Sequence, residues 1–119
     1  VKAGYAVTAL DRDPQRMDRL RANLARLGYA PALVTADALA YTPPSLFDGV
    51  LLDAPCSATG TFRRHPEVIW HRDAADIAGR VALQRQMLER AAACLNPGGV
   101  LIYCVCSLEP EEGEEQADA

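Results

Sequence analysis

The sequence predicts an α/β fold in which helices cover a mostly parallel sheet. Four short apolar runs alternate with segments of helical periodicity, the pattern of strand-helix-strand units, and three of these runs end on an aspartate. The chain has 119 residues, of which 50% are hydrophobic and 24% are charged. This composition is typical of one globular domain that can form a hydrophobic core without disulfides.

The first strand and the first helix follow each other closely. Tyr5–Leu10 is an apolar run that predicts a buried parallel strand ending before Asp11. Asp13 is a good N-cap and Pro14 suits the first helical position, so we expect a helix from there to Gly28. Apolar residues recur along one face of this helix: Met17, Leu20, Leu24 and Leu27.

Two more strands are predicted in the middle of the chain. The run Pro31–Ala36 ends at Asp37, and the run Phe47–Leu52 ends at Asp53. Residues 42–45, which include two consecutive prolines, form a loop between them.

The second half contains a long loop, a helix and a fourth strand. Residues 54–72 show no clear period and are too long for a plain connection, which indicates a functional loop. Helical spacing resumes at Asp73 and ends at the Asn-Pro-Gly-Gly turn 96–99. The run Val100–Val105 predicts the fourth strand.

Charge and cysteine content restrict the possible classes of protein. Residues 1–108 contain all 12 basic residues but 10 of the 16 acidic ones, so a slightly positive body precedes an acidic tail of low complexity. Such a body neither requires nor excludes a nucleic-acid partner. No run approaches the roughly 20 apolar residues of a membrane span, so no membrane partner is expected. Of the four cysteines, Cys104 and Cys106 lie as C-x-C in an apolar run where a mutual disulfide would be strained, so we expect reduced thiols and a cytoplasmic protein.

Acidic residues at strand ends are the first functional signal, because ligands of open parallel sheets bind beyond the carboxyl ends of the strands. Asp11 is placed to hold the ribose of an adenosine-type cofactor, and Asp37 to accept from its exocyclic amine. The alternative is that both carboxylates only cap local turns. Neither a G-x-G-x-x-G sequence nor a P-loop is present, which disfavours a dinucleotide or a triphosphate.

The cysteines are the second signal. Cys56 follows Asp53 in a loop of small residues and Cys106 follows the fourth strand, so adjacent third and fourth strands would bring both thiols to one cleft. Cys94 is expected to be a small core residue. The two thiols favour covalent catalysis by a thiolate, with a redox pair as an alternative. A further alternative is a zinc site, whose ligands would be Cys56, Cys104, Cys106 and either His65 or His71.

Three blocks of sequence resemble one family. They are residues 53–60 (DAPCSATG), residues 62–66 (FRRHP) and residues 103–107 (YCVCS) followed by Pro110-Glu111-Glu112. Together they resemble the RNA cytosine-C5 methyltransferases of the RsmB/Sun type. The resemblance extends over almost the whole chain, since the segments VTALDRD, R-x-N-L-x-R-L-G and N-P-G-G occur in the same order.

The resemblance implies a fold, a cofactor and a reaction. Residues 1–119 would form part of a Rossmann-like class I methyltransferase domain that transfers a methyl group from S-adenosyl-L-methionine to cytosine C5 in RNA, expected to be 16S ribosomal RNA. Asp11, Asp37 and Asp53 match the cofactor-binding acids. Cys106 matches the nucleophile that forms a covalent adduct with the base, and Cys56 matches the cysteine that assists product release. No metal is implied.

The resemblance also implies how RNA is bound and which parts of the domain lie elsewhere. Pro55 would shape the loop that accepts a flipped-out base. Arg63, Arg64 and His65 would meet RNA phosphates, although a solvated basic loop is the alternative. The glycine-rich cofactor loop and its strand are expected before residue 1, with that strand central in the sheet, and further strands are expected after the tail. Gly113 stands where the family usually has asparagine.

Two other functions remain open from the sequence. Methylation of an amino group would require an acid-Pro-Pro-aromatic block, and Cys56 stands where that block has its second proline. A non-catalytic RNA- or cofactor-binding module on a methyltransferase scaffold is the alternative from another class.

Overall fold

The computed structural model describes residues 2–61, 63–69 and 73–118. Their helices and strands are, in chain order, β1 (Thr8–Asp11), α1 (Pro14–Leu27), β2 (Ala32–Thr35), β3 (Phe47–Asp53), α2 (Ala74–Ala93), β4 (Leu95–Cys104) and α3 (Glu114–Asp118). Two 3-10 turns, Thr59–Thr61 and Pro66–Ile69, lie between β3 and α2. The chain divides into two compact units, Val1–Thr42 and Pro43–Ala119. Across the described ranges, no helix is long and apolar enough to cross a membrane.

The first unit is a strand-helix-strand motif with a parallel sheet. β1 pairs with β2 from Thr8 opposite Ala32 to Asp11 opposite Thr35. Helix α1 has the predicted ends: the Asp13 side chain accepts a hydrogen bond from the backbone N–H of Gln15, and Gly28 adopts a left-handed conformation with a φ of 75°. The predicted apolar face is buried most completely at Met17, which is 2% exposed.

Both strands of this unit are shorter than predicted. β2 starts at Ala32 because Pro31 has no backbone N–H to donate, and the Ala32 N–H donates to Val7. β1 therefore starts at Thr8 rather than Tyr5 and includes Asp11 as its last residue. The strand is half-buried, not buried as predicted. Full burial of a parallel strand needs cover on both faces.

The second unit has the same topology on a larger scale. β3 pairs in parallel with β4, and α2 connects them. The helix begins at Ala74, one residue after the predicted start at Asp73, because the Asp73 side chain caps it by accepting from the backbone N–H of Asp76. Among the residues of the second unit whose burial is described, the buried apolar ones are Leu52, Ala54, Cys56 and Cys94. In the described part of the chain, the strands form two separate two-stranded sheets, β1 with β2 and β3 with β4.

The turn at 96–99 lies inside a strand instead of ending a helix. Helix α2 ends at Ala93, and β4 begins at Leu95, five residues before the predicted start. Leu95 pairs with Phe47, and the register shifts before Gly49 pairs with Val100, so the turn forms an irregularity in the ladder. β4 also ends at Cys104 rather than Val105.

The acidic tail is folded. Residues 114–118 form the short helix α3, and two polar side chains of the tail are buried: Glu112 is 0% exposed and Gln116 is 3% exposed. The tail therefore contributes to the interior of the second unit, which its charge alone did not indicate.

Candidate active site

The two predicted cysteines meet beyond the carboxyl ends of β3 and β4. Asp53 pairs with Cys104 in the last position of the ladder, so Cys56 and Cys106 lie a short distance past the same sheet edge. Their Sγ atoms are 3.4 Å apart. Cys56 is buried with 8% exposure, whereas Cys106 is exposed. The accessible thiol suits a nucleophile and the buried thiol an assisting group.

Backbone contacts hold the two cysteine segments together. The N–H of Gly60 donates to the carbonyl of Cys106 at 2.9 Å, and the N–H of Leu108 donates to the hydroxyl of Thr59 at 2.9 Å. A Cβ atom at Gly60 would lie 2.8 Å from the Cys106 carbonyl oxygen, closer than real Cβ contacts. Glycine is therefore the residue that lets the loop approach the Cys106 backbone this closely.

The surroundings of Cys106 favour the protonated thiol. Partial burial, the hydrogen bond and charge of Cys56, and the charge of Asp53 together raise the pKa of Cys106 above its ordinary value. Nearby, burial and the negative charges of Glu112 and Cys56 raise the pKa of Tyr103 to about 12. Ionisation of Cys106 is therefore harder than ionisation of an isolated cysteine.

Asp53 and Pro55 precede Cys56 in the chain, and both are exposed. Asp53 is the exposed last residue of β3, and its charge acts on Cys106. Pro55 is also exposed, while its carbonyl accepts a hydrogen bond from Gln84 at 2.9 Å. Between them, the buried Ala54 donates its N–H to Cys104 at 3.0 Å.

Asp11 and Asp37 lie at the carboxyl end of the β1-β2 pair. Oδ1 of Asp11 accepts from the backbone N–H of Asp13 at 2.8 Å and contacts Arg16 at 3.1 Å. Oδ1 of Asp37 accepts from the backbone N–H of Leu39 at 2.9 Å. Both carboxylates thus cap turns, which the turn-capping alternative predicts. Among the described residues these contacts use Oδ1, so Oδ2 of each carboxylate can still accept a hydrogen bond from a ligand.

The basic segment lies on an exposed turn. Arg63, Arg64 and His65 are all exposed, between the two 3-10 turns. Nδ1 of His65 is 3.4 Å from the Glu67 carboxylate, and both side chains are largely exposed. Among the described residues, no hydrogen bond or ion pair joins this turn to the cysteine pair.

A buried polar cluster behind the cysteines was not predicted. Its members are Ser57, Gln84, Ser107 and Glu112, of which all but Ser107 are 0% exposed. Two signals were available. Gln84 interrupts the apolar stripe of α2 that includes Ile77, Val81 and Leu88, and Glu112 belongs to one of the resembling blocks.

The remaining cysteines do not join the pair. Cys94 is buried at 7% exposure, as predicted, and Cys104 is half-buried in β4. Within residues 2–61, 63–69 and 73–118, no group of three His, Cys, Asp or Glu side chains is placed to hold a metal ion. The candidate zinc ligand His71 lies outside the described residues.

The whole chain matches one known protein family. The family described as 16S rRNA methyltransferase RsmB/F matches residues 1–119. The chain belongs to this RsmB/F family. The resemblance inferred from the three sequence blocks is therefore confirmed.

Individual RsmB/F proteins are similar in sequence to almost the whole of this chain. Ribosomal RNA small subunit methyltransferase B of Pasteurella multocida is 42% identical over 94% of this chain, and the protein of the same name from Sodalis glossinidius is 47% identical over 95%. The chain spans 27% of the length of each of these relatives.

Solved structures support the fold. A methyltransferase homologue from Pyrococcus horikoshii matches 94% of this chain and 35% of its own length, with 38% identity and a TM-score of 0.79. NSun6 from the same organism, solved with SFG, matches 93% of this chain and 29% of its own length, with 33% identity and a TM-score of 0.83. The Rossmann-like methyltransferase fold predicted from the sequence is confirmed.

Proposed function

We propose that this chain is the catalytic part of an enzyme that methylates C5 of a cytosine in 16S ribosomal RNA, with Cys106 as the nucleophile. The single observation that carries the proposal is the 3.4 Å contact between the Sγ atoms of Cys106 and Cys56. Two thiols from different loops in contact at the ligand-binding edge of a parallel sheet suit a reaction in which one bonds to the substrate and the other assists.

The chemistry explains why a nucleophile is needed. C5 of cytosine is weakly nucleophilic, so the Cys106 thiolate first adds to C6 and forms a carbon-sulfur bond. This addition converts C5 into an enamine carbon that can bond to a methyl group. Because a base inside a duplex is out of reach, the target cytosine is single-stranded or flipped out of its stack.

The second thiol assists the end of the reaction. After methylation the ring is saturated at C5 and C6 and is tethered to Cys106. Loss of the C5 proton to a base allows the electron pair to reform the double bond and expel the Cys106 thiolate. Cys56, in contact with Cys106, is positioned to assist this elimination.

The described carboxylates fit S-adenosyl-L-methionine as the cofactor. Asp11 and Asp37 would hold its ribose and adenine through their Oδ2 atoms, and Asp53 would lie near its methionine end. The bound cofactor supplies an electrophilic methyl group. Further support comes from NSun6, which was solved with SFG, an analogue of this cofactor.

The names of the relatives support the proposed substrate. Relatives named ribosomal RNA small subunit methyltransferase B support ribosomal RNA as the substrate. A cytoplasmic location is part of the same proposal. The exposed Arg63, Arg64 and His65 would contact RNA phosphates, and Pro55 would shape the pocket for the flipped base.

Two cysteine variants of the full-length protein test the proposal. With labelled S-adenosylmethionine and unmethylated ribosomal RNA, Cys106→Ala abolishes formation of 5-methylcytosine. Cys56→Ala instead accumulates a protein-RNA adduct that survives a denaturing gel. Cys94→Ala, a buried cysteine outside the pair, is the control and leaves methylation intact. An adduct in Cys106→Ala but not in Cys56→Ala would show that the two roles are reversed, and no 5-methylcytosine from the wild-type protein would refute the proposed function.

A further inference from the structure

The Glu112 carboxylate is buried and accepts four hydrogen bonds, three of them from the serines that follow the two cysteines. Its Oε1 accepts from the backbone N–H of Ser57 at 2.9 Å and from the amide of Gln84 at 3.2 Å. Its Oε2 accepts from the hydroxyl of Ser57 at 2.6 Å and from the hydroxyl of Ser107. Glu112 is 0% exposed, so these contacts replace all the water that a carboxylate would otherwise bind.

The donors are the immediate neighbours of the cysteines. Ser57 follows Cys56 in the loop after β3, and Ser107 follows Cys106 after β4. One carboxylate therefore ties together the two segments that carry the thiols. The thiol-thiol hydrogen bond itself is weak, so it cannot fix this distance alone.

Other contacts fix Glu112 in place. The hydroxyl of Tyr103 donates to the backbone carbonyl of Glu112 at 2.7 Å, which anchors the tail to β4. Gln84 donates both to Glu112 and to the carbonyl of Pro55, so α2 supports the same cluster. The cluster thus joins β4, α2, the tail and both cysteine loops.

Glu112 remains ionised despite its burial. Burial raises the pKa of Glu112, but the hydrogen bonds from Ser107, Ser57 and Gln84 outweigh this effect and hold the pKa below its ordinary value. A buried carboxylate is costly unless its partners are all in place, so the cluster requires one arrangement of the loops.

We propose that Glu112 is a positioning residue that holds the Cys56 and Cys106 thiols together through Ser57 and Ser107. Because Glu112 is 0% exposed, the proposal gives it no contact with the reacting base. Its effect on catalysis rests on the proposed function, whereas its effect on the separation of the two thiols does not. The two effects can therefore be measured separately.

Phenylarsine oxide measures the separation directly, because one arsenic atom binds two adjacent thiols with release of water. In full-length protein that also carries Cys94→Ala and Cys104→Ala, Glu112→Ala weakens binding of this reagent by at least about 10-fold, since the second thiol no longer lies within reach of the first. Glu111→Ala is the matched control, because Glu111 is the exposed neighbouring acid, and it leaves binding unchanged. Glu112→Gln restores most of the affinity, since its amide oxygen still accepts from the N–H donors and its NH₂ group can donate to the hydroxyls.

Methylation kinetics provide the second readout. Glu112→Ala lowers kcat by about 100-fold, as expected for displaced reacting groups, and leaves the KM for RNA within about twofold because the RNA contacts are unchanged. If Glu112→Ala does not fold, Ser107→Ala removes one connection and weakens arsenical binding by about threefold.

Unchanged arsenical affinity in folded Glu112→Ala, or in Ser107→Ala where the former does not fold, would overturn the positioning role. If the wild-type protein makes no 5-methylcytosine but Glu112→Ala still loses arsenical affinity, the positioning role stands and only the proposed function fails.

Discussion

At the scale of single residues, the proposed chemistry depends on how Cys106 becomes a thiolate. Cys106 is exposed enough to meet a substrate, yet Cys56 and Asp53 make ionisation harder. This combination keeps the thiol protonated at neutral pH. The pKa of Cys106 therefore depends on the groups around it. A bound cytosine and a bound cofactor would change those surroundings.

The alkylation of Cys106 tests this directly. Since Cys56 raises the pKa of Cys106, Cys56→Ala lowers that pKa and increases the thiolate fraction at pH values near neutrality. The pH profile of iodoacetamide alkylation at Cys106, followed by mass spectrometry, therefore shifts to lower pH. Cys94→Ala leaves the profile in place. A profile that stays put or moves to higher pH in Cys56→Ala would contradict the assigned cause.

At the scale of elements, Gly60 sets the approach of the loop to β4. Gly60→Ala places a Cβ 2.8 Å from the Cys106 carbonyl oxygen, so the two segments must move apart. We expect a loss of about 1–3 kcal/mol in the free energy of unfolding, together with weaker arsenical binding to the cysteine pair. Urea denaturation measures the first effect.

Gly79 in α2 is the matched control for this substitution. Nothing lies within 4 Å of a Cβ atom built at Gly79. Gly79→Ala therefore stabilises the helix by about 0.5–1 kcal/mol. Equal effects of the two substitutions would show that steric contact at Gly60 does not control the loop.

The elements also show how far sequence reasoning extends. Caps at Asp13, Gly28 and Asp73 were predictable because each acts through its own neighbours in the chain. The early start of β4 was not, because Leu95 joins the ladder through pairing with Phe47, a contact between distant segments. Local signals mark where a helix begins, whereas strand ends depend on the partner strand.

The candidate site was likewise predictable only in part. Cys56 and Cys106 were predictable as a pair because parallel neighbouring strands end at one edge of a sheet. The role of Glu112 was not, because an acid in a charged tail gives no sign that it is buried. A polar residue within an apolar helical stripe, such as Gln84, is the clue that such a cluster exists.

At the scale of the whole molecule, binding of the proposed cofactor depends on Asp11 and Asp37. In the full-length protein, Asp11→Asn or Asp37→Asn weakens binding of S-adenosylmethionine by about 10-fold, since each loses a charge-assisted hydrogen bond. Isothermal titration calorimetry measures the affinity. Asp18→Asn, an exposed acid on α1 that pairs with Arg21, is the control and has no effect. Full affinity in both test variants would leave these carboxylates with the turn-capping role alone.

The proposed reaction unites the site and the fold, because it needs the base to be bonded to one sulfur while the other lies beside it. RNA that carries 5-fluorocytosine tests this most directly, since a C5 fluorine cannot leave as a proton does and the adduct persists. Mass spectrometry of the protease-digested complex of the full-length protein with this RNA should find the nucleotide on the peptide at Cys106. A nucleotide on Cys56, or no covalent complex under conditions that methylate ordinary RNA, would contradict the account.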